Sequence, residues 1–222
     1  MKTRTLATSV LALFLSACAA EYSAVGIQAI CAPPAPESAT GACVYPATCD
    51  ATFAGTPLLD ATTAALPFRL PFQFNNQLLN NADPVAGRVN TNDAFIQSFE
   101  MTYAGAPLSP WNVSQPITVP AAGSSGGLVQ LIPTAYFASL IPAAGSQTSI
   151  VVNVRAHGIL GSQDSFTTAW FQVPVTVCAG CLNLSVCTAP NVVASCPSTA
   201  PGSASPGQSA NVTCIAPPAA RE

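Results

Sequence analysis

Charge is what this chain lacks most. Only 7% of its 222 residues are Asp, Glu, Lys or Arg, and Lys2 is the sole lysine. Beyond residue 17 there are four arginines (Arg69, Arg88, Arg155, Arg221) against nine acids, a net of −5. Such a chain has no basic stripe to follow a phosphate backbone, so nucleic acid is not an expected partner. Histidine is nearly missing too. With His157 alone, no H-E-x-x-H pair or histidine cluster can form, which removes the usual catalytic zinc sites. Long apolar runs are also missing. The first, Leu6–Ala17, has 12 residues, whereas a membrane-spanning helix needs about 20. No later stretch is both longer and as apolar. Finally, no cysteine lies between Cys49 and Cys178.

What is there begins at the N-terminus. Lys2 and Arg4 precede the uncharged run, and small residues close it, the pattern of a secretory signal. Leu15-Ser16-Ala17-Cys18 resembles the lipobox of bacterial lipoproteins. The resemblance implies cleavage before Cys18, a diacylglycerol on its thiol and an acylated new N-terminus. An ordinary signal cut, at Ser16-Ala17-Cys18 or Cys18-Ala19-Ala20, is the alternative. Several acyl chains would anchor the protein to a membrane, since each buried CH₂ contributes about 0.8 kcal/mol. Alanine at position 20, where an aspartate retains such proteins at the inner membrane, implies the outer membrane.

Nine cysteines less a lipidated Cys18 leave an even number for disulfides, the default in an oxidising compartment. Cys31, Cys43 and Cys49 lie early; Cys178, Cys181, Cys187, Cys196 and Cys214 lie late. Spacing alone assigns no pairs. Both groups are odd, so full oxidation within one chain requires at least one bridge between them. Cys178-Ala-Gly-Cys181 is compatible with a redox pair or half a zinc site, but it lacks a βαβ context and a second short pair, so it reads as structural.

Four segments are expected: a signal at 1–17, a Cys/Pro-rich tether at 18–50, a β-sandwich at 51–177 and a cysteine-rich appendage at 178–222. Phe68, Leu70, Phe72 and Phe74 alternate with Arg69, Pro71 and Gln73. That is a half-buried strand, placed at a sheet edge by Pro71. Phe95, Phe99, Met101 and Tyr103 are expected on one face of the next strand. "GAPLSPWNVSQP" reads as a loop, "PITVPAAGSSGG" as a strand with a flexible turn, and "TAYFASLIP" as one short helix. Ile150, Val152 and Val154 mark the clearest strand. Ala169, Phe171, Val173, Val175 and Val177 line one face of its partner. Short strands punctuated by Pro and Gly predict an all-β, antiparallel sandwich, immunoglobulin-like or fibronectin-like, with a disulfide-held C-terminal appendage.

The stretch "FQVPVTVCAGCL", the spaced cysteines after it and "SPGQSANVTC" are similar to the ends of small myxobacterial and related deltaproteobacterial lipoproteins, with Ser209 in place of an aspartate. The resemblance implies a lipoprotein and no particular activity. His157, Asp164 and Ser165 could meet across a turn, but polar residues are common at strand ends, and no catalytic residue is assigned. Asn81, Asp83, Asn90, Asn92 and Asp93 have calcium-like oxygens but suit turns better, so no metal or cofactor is expected. Trp111 reads as a plug for one end of the sandwich. The expected protein is a non-catalytic, lipid-anchored envelope component with a protein or glycan partner. An envelope hydrolase, or an accessory subunit of one, is the alternative.

Overall fold

The computed structural model describes residues 23–31, 49, 52–53, 55–62, 67–181, 192–193 and 214–215. Cys18, Cys43, Cys187 and Cys196, and most of the expected appendage, lie outside them. Two sheets face one another. The smaller has three strands: β1 (Val25–Ile30), β3 (Phe68–Asn76) and β6 (Gly123–Ile132), in the order β1-β3-β6. The larger has six. Its path is β2 (Leu58–Asp60), β9 (Phe171–Cys178), β7 (Gln147–Leu160), β4 (Ala94–Ala104) and β5 (Trp111–Val119), and β8 (Ser165–Thr167) pairs with β7. All pairs are antiparallel except β2 with β9. A 3₁₀ turn, Thr134–Tyr136, runs into a single helical turn, α1 (Phe137–Leu140). In the appendage β10 (Val192–Val193) pairs with β11 (Cys214–Ile215).

Period-two alternation builds the core. Val152, Val154, Val173, Val175 and Val177 point inward from β7 and β9 and are fully buried. Phe72 and Phe74 meet them from β3. Phe72 packs edge-on against Phe171 at 5.9 Å between ring centroids, and Phe74 lies 5.6 Å from Phe99. These rings tie the two sheets together, and such pairs add about 0.5–1.5 kcal/mol each beyond their area.

Several expectations are corrected. Residues 18–50 are not only a tether, because Val25–Ile30 is a strand hydrogen-bonded to β3. Pro71 is not on an edge strand, since β3 lies between β1 and β6. The ring is tolerated because it sits where β1 runs out. Its carbonyl accepts from the Cys31 amide at 2.9 Å, so its missing N–H faces the same side and subtracts nothing from the β3–β6 ladder. The expected loop 105–116 ends early, at Pro110, where β5 begins, and the expected turn at Gly123–Gly127 lies in β6. Ala169 is exposed rather than inward. Phe95 is also outside, 40% exposed. The register of β4 slips between Ile96 and Ser98 against both neighbours. This bulge inserts Gln97 and reverses the alternation, so Ala94 and Ile96 are buried before it and Phe99 and Met101 after it.

Candidate functional site

The outward face of the larger sheet is polar, and its charge is concentrated at one place. Glu100 on β4 stands directly opposite Arg155 on β7, and Ser98 opposite His157. Outward positions two apart on a strand share a face, so Arg155 and His157 both reach the one carboxylate. Arg155 Nε donates to Glu100 Oε2 at 2.9 Å, and a second guanidinium nitrogen lies 2.8 Å from that oxygen. His157 Nε2 lies 3.0 Å from the same oxygen. The carboxylate only accepts, so Nε2 carries the ring proton. Thr167 Oγ1 is 3.0 Å from Nδ1, which in the neutral ring accepts the hydroxyl proton. Trp170 completes the cluster. Its indole, 42% exposed, lies under the Arg155 guanidinium at 4.3 Å, a cation–π contact.

Burial works against the Glu100 charge, but the hydrogen bonds from Arg155 and His157 and their charges outweigh it, so the carboxyl sits below its ordinary range. A depressed carboxyl contributes stability that is present above the unfolded-state pKa, about 4.3, and is lost as pH falls through the folded-state value. Urea midpoints measured from pH 7 to pH 3 are therefore expected to fall less steeply at acid pH in Glu100→Gln than in the parent. At pH 7 the variant should lose about 1 kcal/mol, the upper end for an exposed pair. Parallel curves would show that the pair contributes nothing.

His157, Asp164 and Ser165, to which no catalytic role is assigned, do not come together. Asp164 accepts from Ser162 Oγ at 2.7 Å, and Ser165 pairs with Ile159. Gly123-Ser124-Ser125-Gly126-Gly127 has the G-x-S-x-G spacing, but it runs along β6, with Ser125 opposite Phe74. A nucleophile elbow needs a sharp turn from strand to helix. The grouping that does form, Thr167–His157–Glu100, escaped the local pattern because it depends on the register between β4, β7 and β8. The outward alternation of Glu100, Arg155 and His157 was its only trace.

Asp60, Cys178 and Cys181 place an oxygen and two sulfurs within 4.8 Å of one another. The sulfurs are joined as a disulfide, which removes both thiolates as ligands. Asp60 Oδ1 accepts from the Thr62 amide and hydroxyl, at 3.0 and 2.6 Å, and from the Gly180 amide at 3.0 Å. The buried carboxylate thus caps the turn that carries the disulfide. A second disulfide joins Cys31 to Cys49. Near it, the Cys49 amide donates to Gln73 Oε1 at 3.2 Å.

The Asx-rich loop between β3 and β4 also uses its oxygens on the chain itself. Asn90 Oδ1 accepts from the amides of Asn81 and Asn92, and Asp83 Oδ1 from those of Val85 and Ala86. Asp93 Oδ1 accepts from Asn90 Nδ2 at 2.6 Å and the Ala121 amide at 2.9 Å. Trp111 opens β5 half-buried and packs against the core. No protein-family model matches the chain, and no curated protein matches it.

Proposed function

We propose that this protein is a lipid-anchored component of the bacterial envelope that holds a binding domain at the outer membrane.

The observation that carries this reading is Leu15-Ser16-Ala17-Cys18 at the end of a short apolar run behind Lys2 and Arg4. The fold supports it. Among the described residues no helix is long and apolar enough to cross a membrane. The strand order supports an immunoglobulin-like reading of the sandwich. Lettered A, A′, B, C, C′, E, F and G along the chain, with β8 left out, the sheets read A-B-E and A′-G-F-C-C′. The polar sheet face around Glu100, Arg155, His157 and Trp170 is the surface offered to a protein or glycan. It combines an exposed indole with charged hydrogen-bonding groups.

The anchor is tested by metabolic labelling with a fatty-acid analogue. The parent should take the label and fractionate with membranes, and Cys18→Ala should lose both properties. Label that survives the substitution removes the reading.

One observation favours a second reading, an envelope hydrolase. Thr167, His157 and Glu100 form a hydrogen-bonded chain of nucleophile, base and orienting acid. The first reading is preferred because the cluster lies on an open sheet face and Arg155 shares the carboxylate oxygen. Esterase and glycosidase substrates should therefore be turned over no faster by the parent than by Thr167→Val or His157→Ala. Activity lost in both variants would establish the hydrolase.

A further inference from the structure

We propose that the loop 77–93 enters the membrane surface beside the lipid anchor, with Leu79, Val85 and Val89 among the acyl chains. The proposal rests on the lipid-anchor reading above. These three side chains are 77%, 99% and 75% exposed. Single exposed apolar residues need no explanation, but here one loop carries three, and the loop is held in shape. The Asp83 and Arg88 amides and carbonyls exchange hydrogen bonds at 2.8 and 2.9 Å, which sets Val85 in the tip of a tight turn. The base is tied to both neighbouring turns: Leu78 O accepts from Ala122 N, Thr91 O from Ser162 N and Asp93 O from Gly161 N. Asn92 Nδ2 donates to Leu79 O at 2.7 Å. Asn81, Asn90, Asn92 and Asp93 thus use their polar groups to build the loop, while Leu79, Val85 and Val89 face outward, with Gln77, Asn80 and Arg88 exposed beside them.

The position of the chain's entry names the occupant. Val25 is opposite Asn76, and the Gln77 amide donates to Ala24 O at 2.9 Å. The N-terminal strand therefore starts at the root of this loop. Cys18 precedes Ser23 by only five residues, which span at most about 17 Å when fully extended. A lipid on Cys18 would hold this end of the sandwich against the bilayer. The charges of the loop and its neighbouring turns, Asp83, Asp93, Asp164 and Arg88, give no attraction to anionic headgroups. Arg88 also lies 3.6 Å from Asp83. Apolar contact with the acyl region is what the loop offers, at the shallow depth of an interfacial segment.

The test uses the full lipidated chain in phosphatidylcholine vesicles, with and without bromine on the acyl chains. Val85→Trp adds an indole at the tip. Ile141→Trp adds one at the opposite end, at a position already 50% exposed. Emission of the parent, from Trp111 and Trp170, is subtracted. The vesicles should float the protein, and bromine should remove most of the emission added at position 85 and little of that added at 141. Flotation with no selective loss at 85 overturns the loop proposal and leaves the anchor standing. A chain that does not float overturns both.

Discussion

Replacing Cys43 by serine is expected to lower the unfolding free energy by about 5 kcal/mol. The argument is one of parity. If Cys18 carries a lipid, three cysteines lie between β1 and β2 and five from the end of β9 onward. Cys31 is joined to Cys49, and Cys178 to Cys181. Cys43 is then the sole unassigned cysteine of the early group, and Cys187, Cys196 and Cys214 are those of the late group. If all are oxidised within one chain, Cys43 must pair with one of these three. That bridge would close a loop of roughly 150 residues containing every strand from β2 to β9, and the chain-entropy model gives about 5 kcal/mol for such a loop. A whole domain is stable by only about 5–15 kcal/mol, so the variant should melt far below the parent. A non-reduced digest should contain a peptide linked through Cys43 to a C-terminal cysteine. A fully oxidised monomer without that peptide would defeat the argument. A linked dimer would move the bridge between chains.

The strands that were legible are those in which period two is uninterrupted. Ile150 to Val154 and Val173 to Val177 alternate in burial as the pattern requires; Phe68 to Phe74 has its apolar set buried, but Pro71 and Gln73 are buried too, so that strand is not half-buried as expected. What stayed hidden depends on partners distant in sequence. Val25–Ile30 is short and contains Gly26, so nothing local marks it as a strand until β3 is there to pair with it. Gly123–Gly127 has turn composition, yet it pairs residue for residue with Phe72–Asn76. There the ladder overrides the local preference of Gly and Ser. Phe95 was misplaced because a bulge shifts phase without leaving any mark in hydrophobicity. The candidate site was hidden by the same cause. Outward positions of Glu100, Arg155 and His157 follow from alternation alone, but their meeting follows from the β4–β7 register, which the bulge at Gln97 sets.

That bulge also makes one glycine indispensable. Gly158 lies on β7 opposite Ile96, beside the slip in register, with β8 on its other side, where it pairs with Phe166. A Cβ on Gly158 would sit 2.3 Å from the Phe95 carbonyl oxygen, 2.9 Å from Ile96 Cα and 2.7 Å from the Phe166 ring. The ring could turn away. The other two atoms are backbone, and they can yield only if β4 and β7 separate, which breaks the hydrogen bonds on which the sheet centre depends. Overpacking of this kind costs about 3 kcal/mol, and in a chain of this size that corresponds to a fall in melting temperature of roughly 6–12 °C. Gly158→Ala should show that loss, with an unchanged dependence of stability on urea concentration. Gly55→Ala is the control: its Cβ would meet only the Phe53 ring, at 3.5 Å, and its stability should match that of the parent. If Gly158→Ala behaves like Gly55→Ala, the strands yield freely at the bulge and the close approach has no energetic consequence. If it loses stability and the Glu100–His157 contact with it, seen as a change in the His157 ring resonances, then the bulge both admits the glycine and sets the register that assembles the polar cluster.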